Sequence, residues 1–369
     1  MRPLTREEPG ARQGPSRYDL SGDELAALLE GEPSYRLEQV RRALAAGLSP
    51  EEITVLPKCL RQRLAETPAM RPAFVVATES PTERGATVKW LLKATSDRAR
   101  VEVVLMRYPA RVTACVSSQA GCAMACSFCA TGQMGFCRQL SSGEILEQVV
   151  RAARAARDKG WGRLSNVVFM GMGEPMANYG SVVSAVHRAH DDLSLAARAF
   201  TISTVGIVPG IRRLAAEPLQ VNLAVSLHAA NDDLRSSIVP INRRYPLFRL
   251  MAACLEYAER TRRRIFFEWA LIAGTNDRGE DAAELARLLA PLGGLAHVNL
   301  IPLNPTPGFL ARGSDRETVR AFRDRLASLG LNATIRDTRG RSVGGACGQL
   351  AGGAQLAGAA QLAASPKGA

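Results

Sequence analysis

A chain of 369 residues, 46% hydrophobic and with a mean hydropathy of −0.05, can bury a large core and has the balance of a soluble globular protein. The opening Met1-Arg-Pro-Leu-Thr-Arg-Glu-Glu has no apolar core for a signal peptide, and no run of 18 apolar residues follows, so a cytoplasmic enzyme without membrane contact is expected. The net charge of +12 sits mainly beyond residue 100, and all but five of the 47 cations are arginine. Arginine suits bidentate phosphate contacts, which points to a nucleic-acid partner, although a high-GC gene would enrich Arg and Ala as well.

Residues 1–18 combine Gly, Pro and charge without periodicity and read as a disordered lead-in. Ser21-Gly-Asp-Glu begins a capped helix. Leu37–Leu48 and Leu56–Thr67 supply two more, giving a small helical N-terminal domain over 19–70. Cys59 on the third helix is expected in the core. Residues 71–110 alternate like antiparallel strands, at Phe74-Val-Val-Ala-Thr, Thr87-Val-Lys-Trp-Leu-Leu-Lys and Val101-Glu-Val-Val-Leu-Met. They form a β extension. Glu102, between apolar neighbours, is either on a solvated face or a tuned base.

From 111 to 350 the pattern becomes strand then helix. Strands are predicted at Val112–Val116, Asn166–Met170, Phe200–Thr204, Val221–Leu227, Ile265–Ile272 and His297–Leu303. Helices are predicted near 143–159, 179–191, 209–216, 247–260 and 278–291, then a last helix at 315–329 and a strand at Ala333–Arg336. About six βα units predict an α/β fold, a partial (β/α)6 TIM-type barrel. An Ala/Gly-rich tail over 351–369 is expected to be disordered.

The residues that are unusual in type fall just beyond strand ends. Cys115-Val-Ser-Ser-Gln-Ala-Gly-Cys122-Ala-Met-Ala-Cys126-Ser-Phe-Cys129 holds four of the eight cysteines, three at C-x3-C-x2-C spacing. Thiolates this dense in one loop hold a metal, and three leave one position of a 4Fe–4S cluster open. A zinc site or inert buried cysteines are the alternatives; zinc lacks a fourth ligand at the customary spacing. Gly171-Met-Gly173-Glu174-Pro175, Ser203, Ser226-Leu227-His228 and Asn304 end other strands. In a βα barrel that rim gathers a ligand, here a small polar cofactor beside the cluster. Cys347 lies in a glycine-rich stretch after Arg336, Arg339 and Arg341, and is a candidate nucleophile.

With these motifs the chain resembles the RlmN/Cfr family of radical S-adenosylmethionine RNA methyltransferases, from about residue 85 to 352. The resemblance rests on the cysteine loop with its following Ala-Thr-Gly, Val168-Phe-Met-Gly-Met-Gly-Glu-Pro, Ser203-Thr-Val-Gly, Ala224-Val-Ser-Leu-His and Ala346-Cys-Gly-Gln-Leu-Ala. It extends more loosely to Gly31-Glu-Pro-Ser-Tyr-Arg and Leu56-Pro-Lys. It implies that Cys122, Cys126 and Cys129 bind one 4Fe–4S cluster, with S-adenosylmethionine on the open iron and two such molecules used per turnover. It implies cofactor contacts from Gly173, Glu174, Ser203, Ser226, Leu227, His228 and Asn304. Cys347 would carry an S-methyl group, and Cys115 would resolve the adduct on it through a transient disulfide. Glu102 would be the proton acceptor. The implied substrate is carbon 2 of an adenosine in 23S ribosomal RNA near the peptidyl-transferase centre, and also in tRNA beside the anticodon. A monomer served by an electron donor such as flavodoxin is implied too. Methylation at carbon 8 uses the same cysteines, and a noncatalytic iron–sulfur RNA-binding protein is the rival from another class. Three departures stand out: Cys137 where cysteine is not usual, Gln139 in place of Asn, and Arg341-Ser-Val without the usual acidic pattern before Cys347.

Overall fold

The computed structural model describes residues 16–81, 85–304, 306 and 308–336; Cys347, the tail and the lead-in up to residue 15 lie outside that range. Three short helices come first: α1 (Gly22–Ala27), α2 (Tyr35–Ala45) and α3 (Lys58–Glu66). Ser21 begins α1 with the expected capping box, its side chain accepting from the Glu24 amide. Helix α3 buries Leu60 and Leu64 and turns Cys59 to solvent, so that thiol is not in the core as expected from its residue type on a helix. Ser16 and Tyr18, assigned to the lead-in, are also buried, the Tyr18 hydroxyl donating to the Leu44 carbonyl at 3.0 Å.

Four strands follow as an antiparallel meander: β1 (Phe74–Pro81), β2 (Thr87–Ala94), β3 (Arg100–Tyr108) and β4 (Arg111–Cys115). Next come the small hairpin β5 (Gln119–Gly121) and β6 (Phe136–Gln139) with α4 (Ala130–Gln133) inside it, then α5 (Ser142–Asp158). The alternation that follows is β7 (Asn166–Phe169), α6 (Tyr179–Leu193), β8 (Phe200–Thr204), α7 (Val208–Ala215), β9 (Asn222–Ser226), α8 (Asp232–Ile238) and α9 (Leu247–Thr261). It ends with β10 (Ile265–Leu271), α10 (Gly279–Leu289), β11 (Ala296–Pro302), α11 (Arg316–Ser328) and β12 (Ala333–Ile335). Strands β4 and β7 to β12 run parallel in spatial order, extending the meander into a ten-stranded sheet.

The six βα units expected from the sequence are all present, as an open α/β sheet with helices between successive strands. Helix α6 shows why the chain packs this way. Val182, Ala185, Val186 and Ala189 recur at helical spacing and form its buried stripe. Strand β9 is buried through Leu223, Ala224 and Val225, as a parallel strand covered on both faces must be.

Helix α5 joins the small helices to the sheet. Its N-terminus carries the Ser141–Glu144 capping box, and the Asp19 carboxylate also accepts from the Ser141 hydroxyl and the Gly143 amide, both at 2.7 Å. Further along, Glu147 accepts from the amides of Ala73 and Phe74, and Arg154 forms a bidentate pair with Glu52. One helix therefore sets both the position of α1 to α3 and the start of the meander. Among the described residues, no helix is long and apolar enough to cross a membrane.

Candidate active site

The cysteine loop leaves the end of β4 and is closed by the β5–β6 hairpin. Gly121 sits at φ +74°, and a Cβ there would stand 2.0 Å from the Gly135 carbonyl oxygen. That close approach lets the Cys122 amide donate to the same oxygen at 2.8 Å. Downstream, Ala125 adopts φ 53°, and the Cys129 amide donates to the Cys126 carbonyl at 3.1 Å. The tight turn brings the second and third thiols together. From the other side, the Ser127 amide donates to the Ile238 carbonyl and seats the loop on the end of α8.

Cys122, Cys126 and Cys129 line one cavity of about 340 Å³, together with Gly173, Glu174, Ser203, Ser226, His228 and Asn304. The cavity lies in the size range of cofactor sites. The joint placement inferred from strand ends is thus realised for nine of the predicted residues. Leu227 is the exception: its side chain is buried in the core, and its backbone bonds to the Glu268 carbonyl and the Arg235 side chain.

Burial pushes the Cys122 thiol up to about 12, and the Glu174 and Cys129 charges add to the rise. Cys126 is pushed up further still, first by burial, then by Cys129 and Cys122. Thiols that raise one another this way are close together and stay protonated until a cation takes them as thiolates. Among the described residues, no three His, Cys, Asp or Glu side chains converge on one metal-ion position. Three clustered thiols beside a cofactor-sized cavity fit a 4Fe–4S cluster, which meets each thiolate at a different iron.

Glu174 is buried at the end of β7. Its carboxylate accepts from the Val205 amide at 2.8 Å and the Met176 amide at 3.0 Å, yet burial still raises it to about 7. Its own amide donates to Gln119 Oε1, Gln119 Nε2 donates to Gln139 Oε1, and Gln139 Nε2 donates to the Ala177 carbonyl. The unusual Gln139 therefore helps tie the hairpin to the rim. Gly171 and Gly173 allow the strand end to pass over this loop; a Cβ at Gly171 would meet the Val116 oxygen at 2.5 Å. His228, at φ 60°, is no helix cap, since Asn231 caps α8. Burial lowers it to about 3, with Arg235 adding to the effect, so the ring is neutral. Its Nδ1 accepts from the Ala270 amide at 2.9 Å, leaving the proton on Nε2 as a donor.

Two features of this site were not visible in the sequence. Glu268 lines the cavity from β10, buried and raised by that burial, and accepts from Asn299 at 2.8 Å. Arg235 is fully buried, donating to the carbonyls of Leu227, Val205 and Ser226 and to Asn242 Oδ1. It joins the ends of β8 and β9 that carry the rim residues. A helix too short to show periodicity carries Arg235, and only cross-strand placement reveals Glu268.

Cys115 ends β4, half-buried, and burial pushes its thiol up to about 11. Glu102 is buried, not solvated, with its carboxylate 2.8 Å from Lys89 Nζ. Cys347 lies outside the described residues. Cys137 is exposed on β6 and does not line the cavity.

A family profile described as the Radical SAM superfamily matches residues 116–289. The probable dual-specificity RNA methyltransferase RlmN of Parafrankia sp. is 51% identical, covering 92% of this chain and 93% of its own. Its counterpart in Chloroflexus aurantiacus is 49% identical over 91% of this chain and 92% of its own. The crystal structure of a radical SAM methyltransferase from Sphaerobacter thermophilus superposes with a TM-score of 0.85 at 48% identity, covering 90% of this chain and 98% of that one.

Proposed function

This chain belongs to the RlmN family of radical SAM RNA methyltransferases, and from that premise we propose that it methylates carbon 2 of adenosine in 23S ribosomal RNA and in tRNA. The observation that supports this most is the single cavity shared by the three clustered thiols and the polar rim of β7 to β11. A 4Fe–4S cluster bearing S-adenosylmethionine supplies the electron, the methyl group and the radical chemistry that the electron-poor carbon 2 requires.

The chain's own residues hold and steer that chemistry. Cys122, Cys126 and Cys129 give up protons to become ligands. Glu174 offers a carboxylate to an ammonium group, and His228 donates through Nε2. Ser203, Ser226 and Asn304 supply short polar contacts for a ribose or a carboxylate. Cys347 carries the methyl group to the base and is left linked to carbon 2 through a methylene bridge. Glu102 accepts the proton that carbon 2 gives up, and the one electron lost with it would return to the 4Fe–4S couple that supplied it. Cys115 then attacks the Cys347 sulfur, forming a disulfide as the sulfur–methylene bond breaks; the carbon leaves with the electron pair and takes up a proton, freeing the methylated base. In support, Glu102 is buried beside a cation, and the strand carrying it pairs with the strand that ends at Cys115.

Mass spectrometry of adenosine from cells with and without the gene tests the proposal. Loss of 2-methyladenosine from ribosomal RNA and tRNA on deletion is expected. Loss of carbon-8 methylation alone would overturn it.

A further inference from the structure

Arg235 braces the ends of β8 and β9, and that work draws on its hydrogen bonds rather than on its charge. The side chain is fully buried. Its acceptors are the carbonyls of Leu227, Val205 and Ser226 and the side-chain oxygen of Asn242, all of them neutral. Among the described residues it forms no ion pair with a carboxylate. Asp232 is linked to it only through Asn242, whose Nδ2 donates to the Asp232 carboxylate at 2.8 Å. A buried charge is ordinarily matched by an opposite charge, because its desolvation is otherwise uncompensated. The fork of Arg235 is explained by the carbonyls; the cation is not.

The surroundings of Arg235 supply the missing anion. Val205 and Ser226, whose carbonyls it holds, line the cavity of the three thiols, while Arg235 itself does not. Its helix α8 ends at Ile238, whose carbonyl accepts from the Ser127 amide at 3.1 Å. Cys126 packs in one apolar cluster with Ile238 and Val239. The element that carries the guanidinium therefore also seats the cysteine loop. The charges act on one another there. Burial lowers Arg235 to about 10, which leaves it a cation at neutral pH, and Cys126 leads the charges that resist the fall. Arg235 in turn adds to burial in holding His228 neutral at the rim.

We propose that Arg235 is the counter-charge of the 4Fe–4S cluster, a cation fixed behind the cavity wall that favours the three thiolates and raises the reduction potential. The proposal rests on the reading that Cys122, Cys126 and Cys129 hold the cluster, and does not depend on which carbon is methylated. The three cysteines give up their protons on loading, and their negative charges exceed the positive charge of the cluster core, so the loaded site is an anion. Reduction adds one electron from a low-potential donor. It breaks no bond, takes up no proton and makes the site more negative still. A nearby fixed cation stabilises the more negative form more strongly, which is why net charge is among the determinants of such potentials. Arginine suits this place because it keeps its charge when buried, where a lysine readily loses it. Arg235 touches neither substrate nor cofactor, and is a positioning residue that acts through the field at the cysteine loop.

The test is an anaerobic redox titration of the reconstituted full chain, without S-adenosylmethionine or RNA, followed by the electron paramagnetic resonance of the reduced cluster. Two variants are compared with the parent per iron bound. Arg235→Gln removes the charge and keeps a hydrogen-bonding side chain. It is expected to lower the ratio of reduced to oxidised cluster at a given potential about tenfold, a midpoint lower by about 59 mV for one electron. The second variant exchanges Asp232→Asn with Asn242→Asp. It leaves the fork and the net charge unchanged, yet brings a carboxylate to the position whose oxygen lies 2.7 Å from Arg235 Nη1. Its ratio should fall severalfold. An unchanged midpoint in either variant would reduce Arg235 to a brace and overturn the proposal, whatever the iron content. If Arg235→Gln does not fold, the exchange decides alone: a lower midpoint supports the counter-charge, and an unchanged or higher one refutes it. A parent chain that takes up iron without the signal of a 4Fe–4S cluster would overturn the reading of the three cysteines, and the proposal with it.

Discussion

Glu174 is the side chain whose charge state is most finely set by its surroundings. Its value rises from 4.5 to about 7 because burial outweighs the amides it accepts from. Between those two values the folded chain holds a proton that the unfolded chain has lost. This group's contribution to stability therefore declines as pH rises through that window, by about 3 kcal/mol in all. Urea unfolding of the metal-free protein should show Glu174→Gln gaining stability on the parent between pH 5 and pH 8, and a constant difference would contradict the assignment. The two outlying thiols make a second residue-level prediction. Cys115→Ala should leave a covalent protein–RNA adduct on a denaturing gel, and Cys347→Ala should form none. Free RNA from both would count against their roles. The cysteine spacing made the three clustered thiols legible from the chain alone. The pairing of Glu102 with Lys89 was not, because it depends on strand register: thirteen residues separate the two in sequence and 2.8 Å in space. Nor was the exposure of Cys59, since a lone thiol on a helix does not show which side of it faces the core.

At the scale of elements, the βα alternation was readable because each strand is a short apolar run and each helix repeats its apolar stripe. The hairpin of β5 and β6 was hidden. It has strands of three and four residues, and close approach at glycine holds it as much as side-chain pattern does. That hairpin closes the cysteine loop, so its disruption should be felt at the metal. Gly121→Ala would force a Cβ to within 2.0 Å of the Gly135 oxygen at a positive φ, where no small shift relieves it. Iron bound per chain after reconstitution should fall severalfold with little change in the far-ultraviolet circular dichroism. Full iron loading would show that the loop holds its shape without the hairpin. Helix α8 was missed for a related reason: its seven residues do not cover two turns, yet it brings Arg235 beneath the rim.

For the whole molecule, part of the charge of +12 is taken up inside the chain. Arg212 pairs with Glu256 at 2.7 Å, Arg213 lies over the Tyr179 ring at 4.0 Å, and Arg263 bonds Asn222 at 2.6 Å. These arginines of the 212–213 and 262–264 clusters are engaged within the chain, which the sequence could not show. RNA affinity should nonetheless fall steeply with salt, by about 0.7 to 0.9 of a log unit per log unit of salt for each phosphate contacted. Replacing Arg212 should leave that slope unchanged, and a loss of about one unit would place it at the RNA. On the proposed function, one cavity holds the cluster and cofactor that deliver a methyl group to carbon 2 of adenosine. The most direct measurement of this is anaerobic reconstitution with iron and sulfide, followed by incubation with S-adenosylmethionine, reductant and each RNA, and mass analysis of the nucleosides. 2-Methyladenosine together with 5′-deoxyadenosine is the expected result. RNA that binds normally while neither compound forms would contradict it.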